Sequence, residues 1–236
     1  MKLHKLFEGA AGAKSYFKER LDEKSPYGYC LGRRITMVLC VFDRHQLSGD
    51  IVDFGCADSM MLDAVADHLQ SRFTSGLGVD VFPIAVPADQ PHRNVQFRKI
   101  DLFREYPFQI QDESFDVAIA SAFLKHHPEP ARFLAEVCRV LRPGGHAVLL
   151  DPRPVVVNIG MKFGRFRPNA NPSVWSKRTI KALIADRSLD FLVTEYERYW
   201  VAPNHPLFEL GLEAVLPRWI RRVAGLHQCL LLQRRR

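Results

Sequence analysis

The sequence lacks the cysteine and histidine spacings that are typical of disulfide-bonded and zinc-binding proteins. Its five cysteines are scattered, and no Cys-x-x-Cys pair occurs. Its nine histidines form no His-Glu-x-x-His motif, and the adjacent pair His126-His127 cannot place both rings on one helix face. These absences argue against a disulfide framework and against a zinc site. We therefore expect no bound metal and a reducing, cytoplasmic environment.

Long apolar runs are also missing. No stretch of about 18 apolar residues occurs, so we expect no membrane-spanning helix. Residues 1–20 contain small residues but no apolar segment of the kind found in signal peptides. We therefore expect no secretory leader.

The charge is positive but unevenly spread. The formal net charge is +7 and the isoelectric point is about 9.3. Much of the excess lies near the C-terminal end, at Arg218, Arg221, Arg222, Arg234, Arg235 and Arg236. Such a surface permits contact with nucleic acid or anionic membranes, but a solvated basic face is the simpler interpretation. We do not expect a nucleic-acid partner.

From residue 51 onward, strand-like and helix-like segments alternate. The strand-like segments are IVDF, GLGVDV, VQFRKIDL, FDVAIAS and HAVLLDP. Strands separated by helices predict an α/β fold with a parallel sheet. Near the C-terminal end, FLVTEYERYWV and LHQCLLLQ are joined by a long excursion, which predicts an antiparallel addition at one edge.

We expect one domain of three parts. Residues 1–48 would form a helical cap, residues 49–152 the core, and residues 153–236 a substrate-side insertion followed by the last two strands.

Local signals predict several helix boundaries. Residues 1–25 are charged and helix-like, and Tyr27-Gly28-Tyr29 is expected to interrupt this helix before a second one at about residues 34–46. Ser176 is expected to cap a helix that runs to about residue 187. Gly144-Gly145 is expected to stop a helix and form a turn.

The segment Ile51–Leu69 contains the strongest functional signal. An apolar strand ends at Asp53-Phe54-Gly55, the small residues Cys56 and Ala57 follow, and an apolar-periodic helix begins shortly afterwards. A strand, a tight turn and a helix N-terminus in this order can bring backbone N–H groups to a nucleotide-like ligand. Gly55 would allow close approach of that ligand or a backbone conformation that other residues avoid.

Four motifs together resemble the class I S-adenosylmethionine-dependent methyltransferases, and in particular the small-molecule group that includes quinone and sterol methylases. They are Asp53–Ala57, Gly78–Asp80, Ile100–Leu102 and the Arg-Pro-Gly-Gly run that ends at Gly145. The resemblance implies a Rossmann-like, doubly wound, mostly parallel seven-stranded sheet. The last strand would be antiparallel, and helices would cover both faces.

The resemblance also implies roles for individual residues toward S-adenosylmethionine. Asp80 would accept the ribose hydroxyls, since a carboxylate is a strong acceptor. Asp101 and the backbone N–H of Leu102 would hold the adenine. Backbone near Gly55 and at Ser121 would face the methionine part. The expected cofactor-binding set is Asp53, Gly55, Cys56, Ala57, Asp80, Val81, Asp101, Leu102 and Ser121.

Several of these residues have a simpler structural interpretation. Asp80 and Asp101 could be turn or cap residues, and Cys56 a small buried residue. Ala57 replaces a usual glycine, which is tolerable if its φ is negative. His126 could be a general base near the methyl acceptor or an ordinary loop histidine. Tyr27, Tyr29 and Trp175 could line the acceptor site or simply pack in the core.

Three other functions compete with this interpretation. A nicotinamide-dependent oxidoreductase would need a fuller Gly-x-Gly-x-x-Gly motif, and Met60 fits its last position poorly. A nucleic-acid methyltransferase would suit the charge, but Ser121-Ala122-Phe123-Leu124 replaces the Asn/Asp-Pro-Pro-aromatic run of the DNA amino-methylating enzymes. A non-catalytic cofactor-binding scaffold is the third alternative, and intact Asp80 and Asp101 argue against it.

The reaction implied by the resemblance is in-line transfer of a methyl group, for which alignment of the reactants matters most. We expect the acceptor to contact residues 1–30, 153–175 and 202–222. A small, apolar or aromatic acceptor is favoured, because these segments are rich in apolar and basic side chains. The apolar surface around residues 207–220 is expected to pack on the sheet, and peripheral contact with anionic membranes is the alternative.

Overall fold

The computed structural model describes residues 26–57, 59–81, 94–154, 175–199, 225 and 227–236, and the structural statements below concern these residues. The helices are α1 (Pro26–His45), α2 (Met60–Leu69), α3 (Pro130–Val140) and α4 (Lys177–Asp186). The strands are β1 (Gly49–Phe54), β2 (Phe73–Asp80), β3 (Val95–Lys99), β4 (Phe115–Ser121), β5 (Leu141–Pro152), β6 (Phe191–Tyr199) and β7 (His227–Arg234). Short 3-10 helices cover Gln70–Arg72 and Leu124–His126.

The strands form one seven-stranded sheet in the order β3-β2-β1-β4-β5-β7-β6. Strands β1 to β5 are parallel to their neighbours, and β7 is antiparallel to both β5 and β6. This confirms the predicted mixed sheet with an antiparallel last strand. Because β7 inserts between β5 and β6, the carboxyl ends of β1 to β6 and the start of β7 all lie at one edge of the sheet.

Apolar side chains cover both faces of the sheet. One core contains residues of α1 and α2, among them Val38, Phe42, Leu62 and Val65. The other contains residues of α3 and α4, together with Phe54, Phe108 and Trp175. The core strands β1 and β4 are buried on both faces, as their continuous apolar runs predict. The expected helices on both faces are therefore present.

The predicted interruption at Tyr27-Gly28-Tyr29 is wrong. Helix α1 runs without a break from Pro26 to His45. Proline fits the first turn of a helix, where its missing N–H is not needed. One interior glycine costs only about 1 kcal/mol, which burial of the apolar face outweighs. The predicted helix over residues 1–25 lies outside the described residues.

The interpretation of Gly144-Gly145 as a helix stop is also wrong. Helix α3 already ends at Val140, and Leu141 is extended and begins β5. Pairing with β4 jumps from Phe115–Leu141 to Val117–His146, so the Arg-Pro-Gly-Gly run is an irregularity within the strand.

The predicted cap at Ser176 and the last two strands are confirmed. The Thr179 N–H donates to the Ser176 hydroxyl oxygen at 3.2 Å, which caps α4 as expected. Both predicted strands are present as β6 and β7. Among the described helices, none is long and apolar enough to cross a membrane. The apolar and basic surface predicted at residues 207–222 lies outside the described residues.

Candidate functional site

The turn after β1 is tied to the end of β2. The N–H groups of Gly55 and Cys56 both donate to the carbonyl of Val79, at 2.8 and 3.3 Å. These two donors, which the sequence pattern suggested for a ligand, are therefore used within the protein. The turn is held in place before any ligand arrives.

Two features require a glycine at position 55: its backbone conformation and the closeness of a neighbouring side chain. Its φ is +76°, in the region that favours glycine. A Cβ at this position would lie 2.5 Å from Cδ2 of Phe123, which belongs to the loop after β4. The expected need for glycine is confirmed. A side chain at this position would clash with Phe123, however, and not with a ligand.

Ala57 departs from the expectation that its φ is negative. Its φ is +52°, and that of Ser59 is +68°. Each residue with a Cβ in this left-handed region costs roughly 1–2 kcal/mol. The turn therefore has a strained conformation, which the surrounding hydrogen bonds maintain.

Asp80 is the residue that this turn positions. The Ala57 N–H donates to Oδ2 of Asp80 at 2.9 Å. The carboxylate lies at the end of β2, and the residue is only 8% exposed. An ionised carboxylate offers about four lone-pair positions for hydrogen bonds. A buried, oriented carboxylate of this kind can receive a pair of neighbouring hydroxyl groups. Val81 follows directly at the same edge.

Asp101 follows β3, the strand next to β2, and caps the turn that comes after β3. Asp80 pairs with Lys99 on β3, so Asp101 follows two positions beyond it. The Phe103 N–H donates to Oδ1 of Asp101 at 3.0 Å, and Arg104 Nε lies 3.8 Å from Oδ2. The turn-residue interpretation of Asp101 is therefore confirmed, and it leaves the carboxylate at the edge where the resemblance places the adenine.

The backbone at Leu102 is held by two side chains that the sequence analysis did not select for this role. The hydroxyl of Tyr106 donates to the Leu102 carbonyl at 2.8 Å, and His127 Nε2 lies 2.9 Å from the same oxygen. His127 Nδ1 accepts the Glu129 N–H at 3.1 Å, so the proton of the neutral ring is on Nε2. Because His127 is fully buried, this arrangement fixes the loop after β3 against the loop after β4.

Three smaller residues complete the turn region. Ser121 ends β4, and its Oγ is buried with no hydrogen-bond partner among the described residues. Asp53 is 2% exposed within β1, where it pairs with Ile119. Cys56 is buried beside Gly78 on β2, which supports its interpretation as a small packing residue.

His126 is neutral and weakly basic. Burial and the nearby Lys125 charge lower the pKa of its ring to about 3. Its Nδ1 is buried with no partner among the described residues. A general base works best when its pKa is near the working pH, so this ring is poorly suited to that role.

The three aromatic residues proposed to line the acceptor site differ in position. Tyr27 and Tyr29 lie in the first turns of α1, and their side chains fall outside the described residues. Trp175 is 2% exposed, and its indole N–H donates to Oδ2 of Asp151 at 2.8 Å. It therefore packs in the core and also supports a carboxylate.

Asp151 is a buried carboxylate that the sequence analysis missed. It is the last residue but one of β5, is fully buried, and accepts a second hydrogen bond from the Lys125 backbone N–H at 3.3 Å. Its Oδ1 has no hydrogen-bond partner within the described part of the chain. The available signal was an acidic residue that directly ends an apolar strand, the same signal that drew attention to Asp80.

Metal ligands do not cluster in this region. Over the described ranges, no group of three or more histidine, cysteine, aspartate or glutamate side chains could hold a metal ion. The groups present at the edge are hydrogen-bonding carboxylates, small residues and aromatic rings.

Comparison with known families bears on the competing interpretations. Residues 52–149 match the family model described as a methyltransferase domain, and this range contains the turn, both edge carboxylates and the loop after β4. Over these residues the chain is therefore similar to a methyltransferase domain.

Two curated methyltransferases show the extent of the sequence similarity. A probable S-adenosylmethionine-dependent methyltransferase of Mycolicibacterium smegmatis is 28% identical over 121 residues, which cover 49% of this chain and 43% of that protein. The ubiquinone biosynthesis O-methyltransferase of Pseudomonas syringae is 30% identical over 112 residues, covering 44% of each chain. This chain thus matches less than half the length of either relative.

The structural similarity extends further along the chain. An S-adenosylmethionine-dependent methyltransferase of Mesorhizobium loti superposes with a TM-score of 0.58. Its identity is 17%, and the superposition covers 78% of this chain and 90% of the other. At this identity the comparison supports the fold alone. In open α/β sheets, ligands bind beyond the carboxyl ends of the strands, and Asp80 and Asp101 lie at that edge of this sheet.

Proposed function

We propose that this chain transfers the methyl group of S-adenosylmethionine to a small apolar or aromatic acceptor. The observation that carries the proposal is the buried carboxylate of Asp80, which the Ala57 N–H orients at the end of β2. Asp101 lies at the end of the neighbouring strand, and the loop at Leu102 is anchored from two sides. The match over residues 52–149 supports the same assignment.

The residues at the edge fit the parts of the cofactor. Asp80 would accept its ribose hydroxyls, and Asp101 with Leu102 would hold its adenine. Asp53, Gly55, Cys56, Ala57, Val81 and Ser121 would line the rest of the cofactor site.

Methyl transfer from this cofactor requires little of the protein other than alignment of the cofactor with the acceptor. When bound, S-adenosylmethionine supplies an activated methyl group on a sulfonium sulfur. The protein then has to hold the acceptor in line with that group and exclude water, and orientation of this kind can contribute several kcal/mol. The hydrogen bonds that fix the turn at Ala57 and the loop at Leu102 provide this rigidity before binding.

The acceptor is proposed to be a small molecule that binds beyond the ends of β4 and β5. The similarity to a relative named for O-methylation in ubiquinone biosynthesis supports an apolar or aromatic compound. Peripheral membrane contact, the cytoplasmic location and the acceptor-lining roles of Tyr27 and Tyr29 stay predictions.

Calorimetry with two cofactors tests the proposed function. We expect S-adenosylhomocysteine, the demethylated product, to bind with micromolar affinity, about 8 kcal/mol. We expect nicotinamide dinucleotide not to bind at the same protein concentration. The opposite preference would contradict the proposal, since it would identify the edge carboxylates as part of an oxidoreductase.

A further inference from the structure

We propose that Asp151 is the general base of this methyltransferase and that the acceptor is a phenol, whose hydroxyl donates to Oδ1 of Asp151. The inference rests on the proposed function and concerns the acceptor side of the same site. Asp151 lies at the end of β5, one residue beyond the pairing of Ser121 with Leu150. It is therefore adjacent to the strand end where Ser121 would face the cofactor.

The carboxylate of Asp151 is held in one orientation. Oδ2 accepts the indole N–H of Trp175 and the backbone N–H of Lys125. Trp175 is fixed in turn, because its carbonyl accepts from the side-chain amide of Gln228 at 2.8 Å. Gln228 is fully buried on β7. Three segments that are distant in sequence thus position one carboxylate.

The second oxygen of the Asp151 carboxylate differs from the first, because no described residue bonds to it. Oδ1 is buried and has no hydrogen-bond partner among the described residues. Leaving a buried polar atom unsatisfied costs about 1–3 kcal/mol. A purely structural role for Asp151 would need only Oδ2. The unpaired Oδ1 is explained by a donor that arrives with the acceptor.

The surroundings also adjust the basicity of Asp151. Burial raises its pKa to about 6, although the charge of Lys125 and the bond from Trp175 act in the opposite direction. The charge of Arg34 on α1 also favours the ionised form of Asp151. Burial, together with the charge of Asp151, raises the pKa of Tyr199 on β6. A carboxylate with this pKa is ionised at neutral pH and is a stronger base than an exposed aspartate.

The electrostatics favour a phenol over other acceptors. An amine in its protonated form would be repelled by Lys125 and Arg34, which lie close enough to influence Asp151. A carboxylate acceptor would be repelled by Asp151 itself. A phenol is neutral, and its pKa of about 10 is much closer to that of Asp151 than the pKa of an alkyl alcohol is. Lys125 and Arg34 would stabilise negative charge that develops on its oxygen.

The proposed step balances in charge and in bonds. The phenol O–H bond breaks as its proton passes to Oδ1 of Asp151, and the phenol oxygen bonds to the methyl carbon. The carbon–sulfur bond breaks, and its electron pair remains on sulfur. The products are a methyl ether, a neutral thioether and a protonated Asp151, which then releases its proton to solvent. One positive and one negative charge disappear together, which a buried, low-dielectric site favours.

The test uses the full chain bound to S-adenosylhomocysteine, as wild type, as Asp151→Asn and as Asp186→Asn. Asparagine keeps an acceptor for Trp175 but is not a base, and Asp186 is an exposed carboxylate at the end of α4. The indole N–H signal of Trp175, assigned with Trp175→Phe, is followed by NMR from pH 4.5 to 8. We expect a titration with a midpoint near 6 in the wild type and in Asp186→Asn, and none in Asp151→Asn.

The phenol is tested at pH 7.5 with 4-methylphenol as the probe, because its pKa of about 10, that of a tyrosine side chain, keeps it un-ionised in solution. We expect it to bind the wild-type complex, to bind Asp151→Asn at least ten-fold more weakly, and to be methylated 10²- to 10⁴-fold more slowly by that variant. An indole signal that does not titrate, equal affinity of both proteins for the probe, or no binding to the wild type would overturn the proposal. Failure of the wild type to bind S-adenosylhomocysteine would instead contradict the proposed function.

Discussion

The backbone N–H of Ala57 donates a hydrogen bond to Oδ2 of Asp80 over 2.9 Å. This bond joins the turn after β1 to the end of β2, and Ala57 forms it from a left-handed conformation with a φ of +52°. The strained turn and the oriented carboxylate are therefore one unit. The strain is stored where the proposed cofactor would bind, as is common for functional sites.

This unit predicts that Ala57→Gly stabilises the protein. Glycine reaches a positive φ without the steric cost of a Cβ, so we expect the free energy of unfolding to rise by about 1 kcal/mol. Urea denaturation measures the change. The matched control is Ala64→Gly within α2, which should lower stability by about 1 kcal/mol. A loss of stability in both variants would show that Ala57 is not strained.

Gly55 and Gly144 provide a second matched pair, because both have a positive φ. A Cβ at Gly55 would meet Phe123 at 2.5 Å, whereas at Gly144 the nearest atoms belong to Arg236 at 3.6 Å. Gly144→Ala should therefore cost about 1–2 kcal/mol from its backbone alone. Gly55→Ala should cost about 1–3 kcal/mol more from overpacking. Thermal or urea unfolding measures both, and equal costs would argue against the Phe123 contact.

Tyr106→Phe tests the anchoring of the loop that follows β3. The variant removes the hydroxyl that donates to the Leu102 carbonyl and should lower stability by about 1 kcal/mol. Because Leu102 belongs to the proposed adenine site, affinity for S-adenosylhomocysteine should also fall several-fold. Tyr196→Phe is the control, since its hydroxyl binds Gln228 far from this loop. Unchanged affinity in Tyr106→Phe would show that the hydrogen bond from Tyr106 to Leu102 does not support cofactor binding.

The raised pKa of Asp151 predicts a pH-dependent difference between the wild type and Asp151→Asn. The folded-state pKa of about 6 lies above the unfolded value of about 4, so the folded protein binds a proton more tightly. The resulting stability is fully present below pH 4 and is lost as pH rises through 6. Asp151→Asn should thus be about 1–3 kcal/mol more stable than the wild type at pH 7.5. The gain should shrink below pH 5. A constant difference across this range would indicate that Asp151 is not desolvated.

The parts of the site that lie within one strand and its following turn were predictable from the sequence. Asp80 and Asp101 were selected from the resemblance to the methyltransferases, together with their positions at or just after the ends of their strands. The sheet places these strand ends side by side. The φ of Ala57 could not be read from the sequence, because alanine gives no local signal for a left-handed conformation. Hydrogen bonds to the end of β2 impose that conformation.

Asp151, on the acceptor side of the site, was not predicted from the sequence, and the reason is different. Asp151 becomes significant only through Trp175, which lies 24 positions away, and through Lys125 in another loop. Trp175 depends in turn on Gln228, 53 positions further along the chain. These contacts arise from the insertion of β7 beside β5, which the sequence placed only as an addition at one edge. Tertiary packing of this kind leaves no periodic pattern in any single segment.

The affinity of Asp80→Asn for S-adenosylhomocysteine tests the proposed function most directly. Asparagine can still accept the Ala57 N–H and so preserve the turn, but the ribose hydroxyls lose a charged acceptor. By calorimetry at pH 7.5, we expect binding to weaken by about 1.5–3 kcal/mol, roughly 10- to 150-fold, relative to both the wild type and Asp186→Asn. Wild-type affinity in a correctly folded Asp80→Asn protein would remove Asp80 from the site and contradict the proposed function.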